Sequence, residues 1–119
     1  MTWVLWLNTI AESAIAVGMF SVPASFFPGA TGLSAAIARA FSFAILAVAF
    51  ISLTLSRKGV SAETLKNGVV ILMVYHVFQL LAQFVNAALY PPLLIPPVII
   101  HTVFSTLFIT YWLRLRTAE

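Results

Sequence analysis

The 119-residue sequence predicts an all-α integral membrane protein, a four-helix bundle with both termini in the cytoplasm, and three observations carry that prediction. Hydrophobic residues make up 62% of the chain and charged ones only 8%, with a mean hydropathy of +1.08. That is more apolar surface than a water-soluble domain of this length hides in one core. The apolar residues fall into four stretches, each near the roughly 20 residues a helical span requires. All the Lys and Arg residues except Arg39 cluster in one connection and at the C-terminus.

The first helix is expected over about residues 3–22, stopping at Pro23, where Pro-Ala-Ser-Phe-Phe-Pro-Gly-Ala-Thr-Gly supplies the residues of a loop. A cleaved signal peptide is the rival reading, but Asn8 and Glu12 interrupt the apolar core and no basic residue precedes it. The second helix spans about 33–55 and ends at the basic turn Ser56-Arg57-Lys58-Gly59. Ser61 reads as the N-cap of the third, about 62–90, with Glu63 in its first turn where a carboxylate suits the helix dipole. Pro91, Pro92, Pro96 and Pro97 bracket a stiff connector, and the fourth helix follows over about 98–113. The whole chain, 1–119, reads as one transmembrane domain.

Arg57, Lys58, Lys66, Arg114 and Arg116 place the second connection and the C-terminus on the cytoplasmic side by the positive-inside rule. Trp3, Trp6, Tyr111 and Trp112 mark that interface, and Phe26, Phe27 and Tyr90 the other. The basic residues thus serve orientation and attraction to anionic headgroups. Six of them, scattered, cannot track a phosphate backbone, so nucleic acid is excluded as a partner. Small residues at Ser34, Ala38 and Ser42, at Ala36, Ala40 and Ala44, and at Ala14 and Gly18 permit close helix approach.

Polar residues inside the spans are the informative ones, because each is costly in lipid unless paired or hydrated. They are Asn8 and Glu12 in the first helix, Arg39 in the second, His76, Gln79, Gln83 and Asn86 in the third, and His101 and Ser105 in the fourth. The 3, 4, 3 spacing of the third-helix set forms one stripe, and the pairs at i and i+4 each share a face. Counting about 1.5 Å per residue from the non-cytoplasmic helix ends places Asn8 and His76 near ~21 Å, Glu12 and Gln79 near ~15 to 17 Å, Arg39, Gln83 and Ser105 near ~9 to 12 Å, and Asn86 and His101 near ~6 Å. Such layering predicts one polar network in the bundle interior.

The same count separates the two histidines by roughly 15 Å, which argues against a bis-His haem. A one-His haem or chlorophyll-type pigment, or a quinone, stays open as a cofactor. For His76 the plainer expectation is a neutral imidazole satisfied by Asn8 or Gln79. Glu12 and Arg39 invite two readings: an interhelical ion pair, or a polar pocket in which Arg39 binds an anionic or carbonyl group while Glu12 handles a proton. Glu12 and His76 are the candidate acid and base. Cysteine is absent, which excludes thiol and iron–sulfur chemistry, and no metal site is assigned. The absence of Asp removes a Ser-His-Asp triad, and one deep carboxylate is too few for glycosidase or two-metal chemistry.

Gly18 with Pro23, Ala38-Arg39-Ala40-Phe41, Arg57-Lys58 and Tyr75-His76 together resemble the DoxX-like small membrane proteins, four-helix bundles of about this length. Ser42 stands where a Gly is expected, and the lack of any Cys departs from the family's thiol-bearing members. The resemblance implies the fold, and a link to quinone-dependent membrane redox complexes in which some relatives are small subunits; Arg39 and His76 are the positions it carries over. The leading functional expectation is therefore an accessory or assembly subunit in a bacterial inner membrane. Its partners would be the lipid bilayer and other membrane subunits or a second copy. The alternative is a stand-alone enzyme or binding protein for a quinone, isoprenoid or sterol-like molecule. A transporter or channel ranks third, because four helices leave little lumen.

Overall fold

The computed structural model describes residues 2–27, 29, 31–86 and 95–117. Its helices are α1 (Thr2–Ser21), a single turn α2 (Pro23–Phe26), α3 (Gly32–Leu55), α4 (Ala62–Asn86) and α5 (Ile95–Arg116). The described residues contain no strand. Four stretches are long and apolar enough to cross a membrane: Thr2–Ser21, Gly32–Leu55, Ala62–Val85 and Pro96–Arg116.

Local chemistry sets most of these limits. Pro23 stands at the first position of α2, where its missing N–H costs nothing. Thr31 and Ser34 cap α3 reciprocally, with the Thr31 N–H donating to Ser34 Oγ at 3.1 Å. Ser61 accepts from the Thr64 N–H at 3.1 Å and so starts α4, as its position promises. Gly59 takes φ +87°, a left-handed conformation that favours glycine, in the turn between α3 and α4. α5 begins at Ile95, three residues before the expected start of the fourth helix. Pro96 and Pro97 sit in the first turn of α5, where backbone N–H groups have no helical partner to lose. Tyr90, Pro91 and Pro92 lie outside the described residues.

The chain divides into two compact units, and each is a helical hairpin. In Thr2–Arg57, residue numbers rise on α1 as they fall on α3: Asn8 meets Ser52, Thr9 meets Ala49, and Phe20 meets Arg39. The helices are therefore antiparallel in one register. The buried face of α3 is Ala35, Ala38, Ser42, Ile45, Ala49 and Ser52, alternating steps of three and four. That period is the seam of a left-handed coiled coil, and its small side chains let α1 come close. Ala16, Met19, Ala38 and Ile45 form its apolar core, with Ile15 and Phe26 against it. Phe26 folds its ring over Gly18, where a Cβ would lie 3.0 Å from the ring.

In Lys58–Glu119, α4 buries Val69, Leu72 and His76, and α5 buries His101, Phe104, Phe108 and Tyr111. Both rows keep the same three-four alternation. At the C-terminal end of α5, Arg114 and Arg116 complement the helix dipole, and the Arg116 guanidinium lies 5.0 Å from the Trp112 ring centre.

Burial runs opposite to that of a soluble protein. Asn8, Glu12, Ser42, Ser52 and His76 are almost wholly enclosed, whereas Trp3, Leu33, Phe43, Phe50, Phe78 and Phe84 face outward. Apolar side chains outside and polar ones inside suit a multi-pass protein whose solvent is lipid. Several threonines on the helices follow the same logic: Thr54, Thr106 and Thr110 each donate to a carbonyl one turn earlier, so these hydroxyls are not left bare towards the bilayer.

Candidate functional site

Two polar centres emerge, one in each hairpin. In the α4–α5 hairpin, the Nδ1 atoms of His76 and His101 lie 3.0 Å apart, hydrogen-bond distance. One Nδ1 must donate and the other accept, so a neutral pair in this contact takes opposite tautomers. His76 is fully buried and His101 is 7% exposed. Aromatic rings surround the pair. His76 stacks on Phe104 at 4.9 Å and on Phe108 at 5.5 Å, and Tyr75 meets His76 edge-on at 5.0 Å and His101 at 6.2 Å.

This contact overturns the 15 Å separation expected from sequence. That count began at Tyr90 for the third helix and at Val98 for the fourth. Measured from Asn86 and Ile95, the ends the structure describes, His76 is ten residues in and His101 six, a difference of about 6 Å along the axis. Side chains reach across that remainder. The depth argument against a bis-His haem therefore fails.

Gln79 and Gln83 continue the row of His76 along α4, and both are half-buried. The side chain of Asn86 lies outside the described residues. Ser105, one turn beyond His101, is buried, and its Oγ makes no hydrogen bond among the described residues. A buried hydroxyl of that kind is uncommon and favours a polar partner other than this hairpin's own groups.

In the α1–α3 hairpin, Asn8 Nδ2 donates to Ser52 Oγ at 2.7 Å across the helix pair. Thr9 Oγ1 donates to its own Leu5 carbonyl at 2.9 Å and lies 3.4 Å from the Ala49 carbonyl. Glu12 is 1% exposed on the same buried row of α1 as Asn8 and Ala16. Arg39 is exposed, and among the described residues it forms no ion pair with Glu12. Its Nε donates instead to the Phe20 carbonyl at 3.2 Å, covering one of the last acceptors of α1. The ion-pair reading of these two residues is thereby replaced by a helix-end contact. Ser42 Oγ donates to the Arg39 carbonyl at 2.6 Å.

The sequence reading did not single out Ser52, Phe104 or Phe108. Their signal was nonetheless present, since Ser52 continues the three-four series of Ala38, Ser42, Ile45 and Ala49, and the two Phe residues continue that of His101.

Comparison with protein-family models, with curated proteins and with solved structures finds no match.

Proposed function

We propose that this chain is a small accessory or assembly subunit of a larger membrane complex, folded as a DoxX-like four-helix bundle with both termini in the cytoplasm. One observation carries the reading: on α3 the small-residue row that includes Ala38 and Ser42 is consumed by α1, whereas Ala36, Ala40 and Ala44 remain on the outer surface. In lipid, where apolar burial drives little, a row of alanines at helical spacing gives a second transmembrane helix a flat surface to approach. The polar centres fit the same role, because Asn8–Ser52 and His76–His101 hold each hairpin together. Basic residues in the α3–α4 turn and at the end of α5 support the orientation.

The test is purification of the native membrane in mild detergent with mass spectrometry of what travels with the chain. Protein subunits in fixed ratio, lost when Ala40 is replaced by Phe, support the reading; a lone chain that keeps its state after Ala40→Phe overturns it.

A second reading, a stand-alone protein for a quinone-like lipophilic carbonyl compound, is favoured by the aromatic-walled imidazole pair and by the buried Ser105 hydroxyl one turn beyond His101 on α5. A quinone recovered from the lone chain, and lost on Ser105→Val, would favour it over the first.

A further inference from the structure

We propose that the α1–α3 hairpin carries a binding site for one anionic phospholipid, its phosphate held by Arg39 and an acyl chain laid along the groove between Val17, Phe20, Phe43 and Leu46. The proposal is independent of the accessory-subunit reading and rests on this hairpin alone.

The groove has a volume of about 180 Å³ and is walled almost wholly by carbon, with Ala16 at its floor. An apolar cavity of roughly 150 Å³ already accepts a benzene-sized guest. Val17, Phe20 and Phe43 are each about half exposed, so the groove opens sideways, towards the surface that meets lipid tails. Phe20 and Phe43 pack edge-on at 5.6 Å and fix one wall.

Arg39 stands at the head of this groove for two reasons. On α3 it precedes Phe43 by four residues and Leu46 by seven, the spacing of a single helix face. Across the hairpin, its Nε is bonded to the carbonyl of Phe20, whose ring lines the groove. That bond orients the guanidinium and uses one of its five N–H donors, leaving the Nη edge for another acceptor. Among the described residues no carboxylate neutralises it, and a bare guanidinium within a span is costly.

Position supports a lipid over a dissolved anion. Arg39 is seven residues into α3, about 10 Å from the helix end, a depth from which a long side chain reaches the headgroup layer. Leu46 lies about 10 Å deeper, in the layer of acyl chains. Charge supports an anionic lipid, because the guanidinium fork matches phosphate oxygens and gains less from a neutral carbonyl.

The test uses the full chain purified in detergent and native mass spectrometry with defined lipids, dioleoyl phosphatidylglycerol against dioleoyl phosphatidylcholine, with inorganic phosphate as competitor. The wild-type chain should retain one phosphatidylglycerol at least about tenfold more tightly than phosphatidylcholine, and millimolar phosphate should not displace it. Arg39→Gln should erase the preference by lowering phosphatidylglycerol to the phosphatidylcholine level. Val17→Trp, which fills the groove and leaves Arg39 in place, should lose both lipids while circular dichroism reports unchanged helix. Equal retention of the two lipids by the wild type, displacement by phosphate, or full retention by Val17→Trp would each overturn the proposal. The wild-type comparison decides it even if a variant does not fold.

Discussion

Replacing His76 and His101 by Phe, singly and together, tests the central contact of the α4–α5 hairpin. Each single variant leaves one imidazole enclosed opposite a phenyl ring. In His76→Phe, His101, 7% exposed, loses the partner its Nδ1 has in the native pair. An unsatisfied buried donor or acceptor costs about 1–3 kcal/mol. Hydrogen bonds between membrane helices, measured by double-mutant cycles, average about 0.6 kcal/mol and reach about 1.7. Full enclosure and the 3.0 Å separation place this pair towards the upper part of that range. Each single substitution should therefore cost about 1–2 kcal/mol. The double variant, a phenyl pair stacked with Phe104 and Phe108, should cost less than the sum by about 1 kcal/mol. Reversible unfolding of the purified chain by dodecyl sulfate in mixed micelles, followed by circular dichroism, measures all four corners of the cycle. Agreement with simple addition to within about 0.5 kcal/mol, the scatter expected of independent sites, would refute the hydrogen bond.

Other consequences are open to the same unfolding assay. Ser52→Ala should cost about 0.6–1.7 kcal/mol by removing the acceptor of Asn8, and no change would mean that the α1–α3 pair does not need this bond. Gly18→Leu should release Phe26 from its place over α1 and destabilise the hairpin by more than 1 kcal/mol; Gly18→Ala should be nearly neutral, because a small shift of the Phe26 ring is offset by about 1 kcal/mol of helix propensity. Phe108→Ala should cost about 2–4 kcal/mol, mainly as a cavity beside His76. Pro97→Ala should change stability by less than about 0.5 kcal/mol, as befits a first-turn position. Nitrogen NMR of the two histidines should find one ring protonated at Nδ1 and the other at Nε2.

Much of the architecture was legible in the residue pattern. Span lengths, Ser61 as a cap and the polar stripe of α4 follow from hydropathy, capping chemistry and three-four spacing, all of which are local. What the pattern did not convey was the meeting of His76 and His101. The estimate of their depths inherited the position of each helix end, and prolines blur such ends: Pro96 and Pro97 read as a break, yet a first helical turn accepts them. The 3.0 Å contact shows that counting residues from such ends does not fix the relative depth of two side chains. Arg39 was misjudged for a different reason. Charge complementarity suggested Glu12, but helix rotation puts Glu12 on the buried row and Arg39 on the outside. Rotation is fixed by the seam, and the seam of α3 is written in alanine and serine, residues that hydropathy scarcely distinguishes from their neighbours.

The division of the chain near Arg57 bears on how the protein is made. The bonds Asn8–Ser52, Thr9–Ala49 and Arg39–Phe20 all close within Thr2–Arg57, so these partners are synthesised before α4 begins. Asn8 can meet Ser52 as soon as α3 has followed α1 into the bilayer, and His76 can meet His101 in the same way once α5 arrives. Neither of these two bonds has to wait for a helix from the other half. These two contacts can form hairpin by hairpin at the pace of translation, each as soon as its second helix emerges.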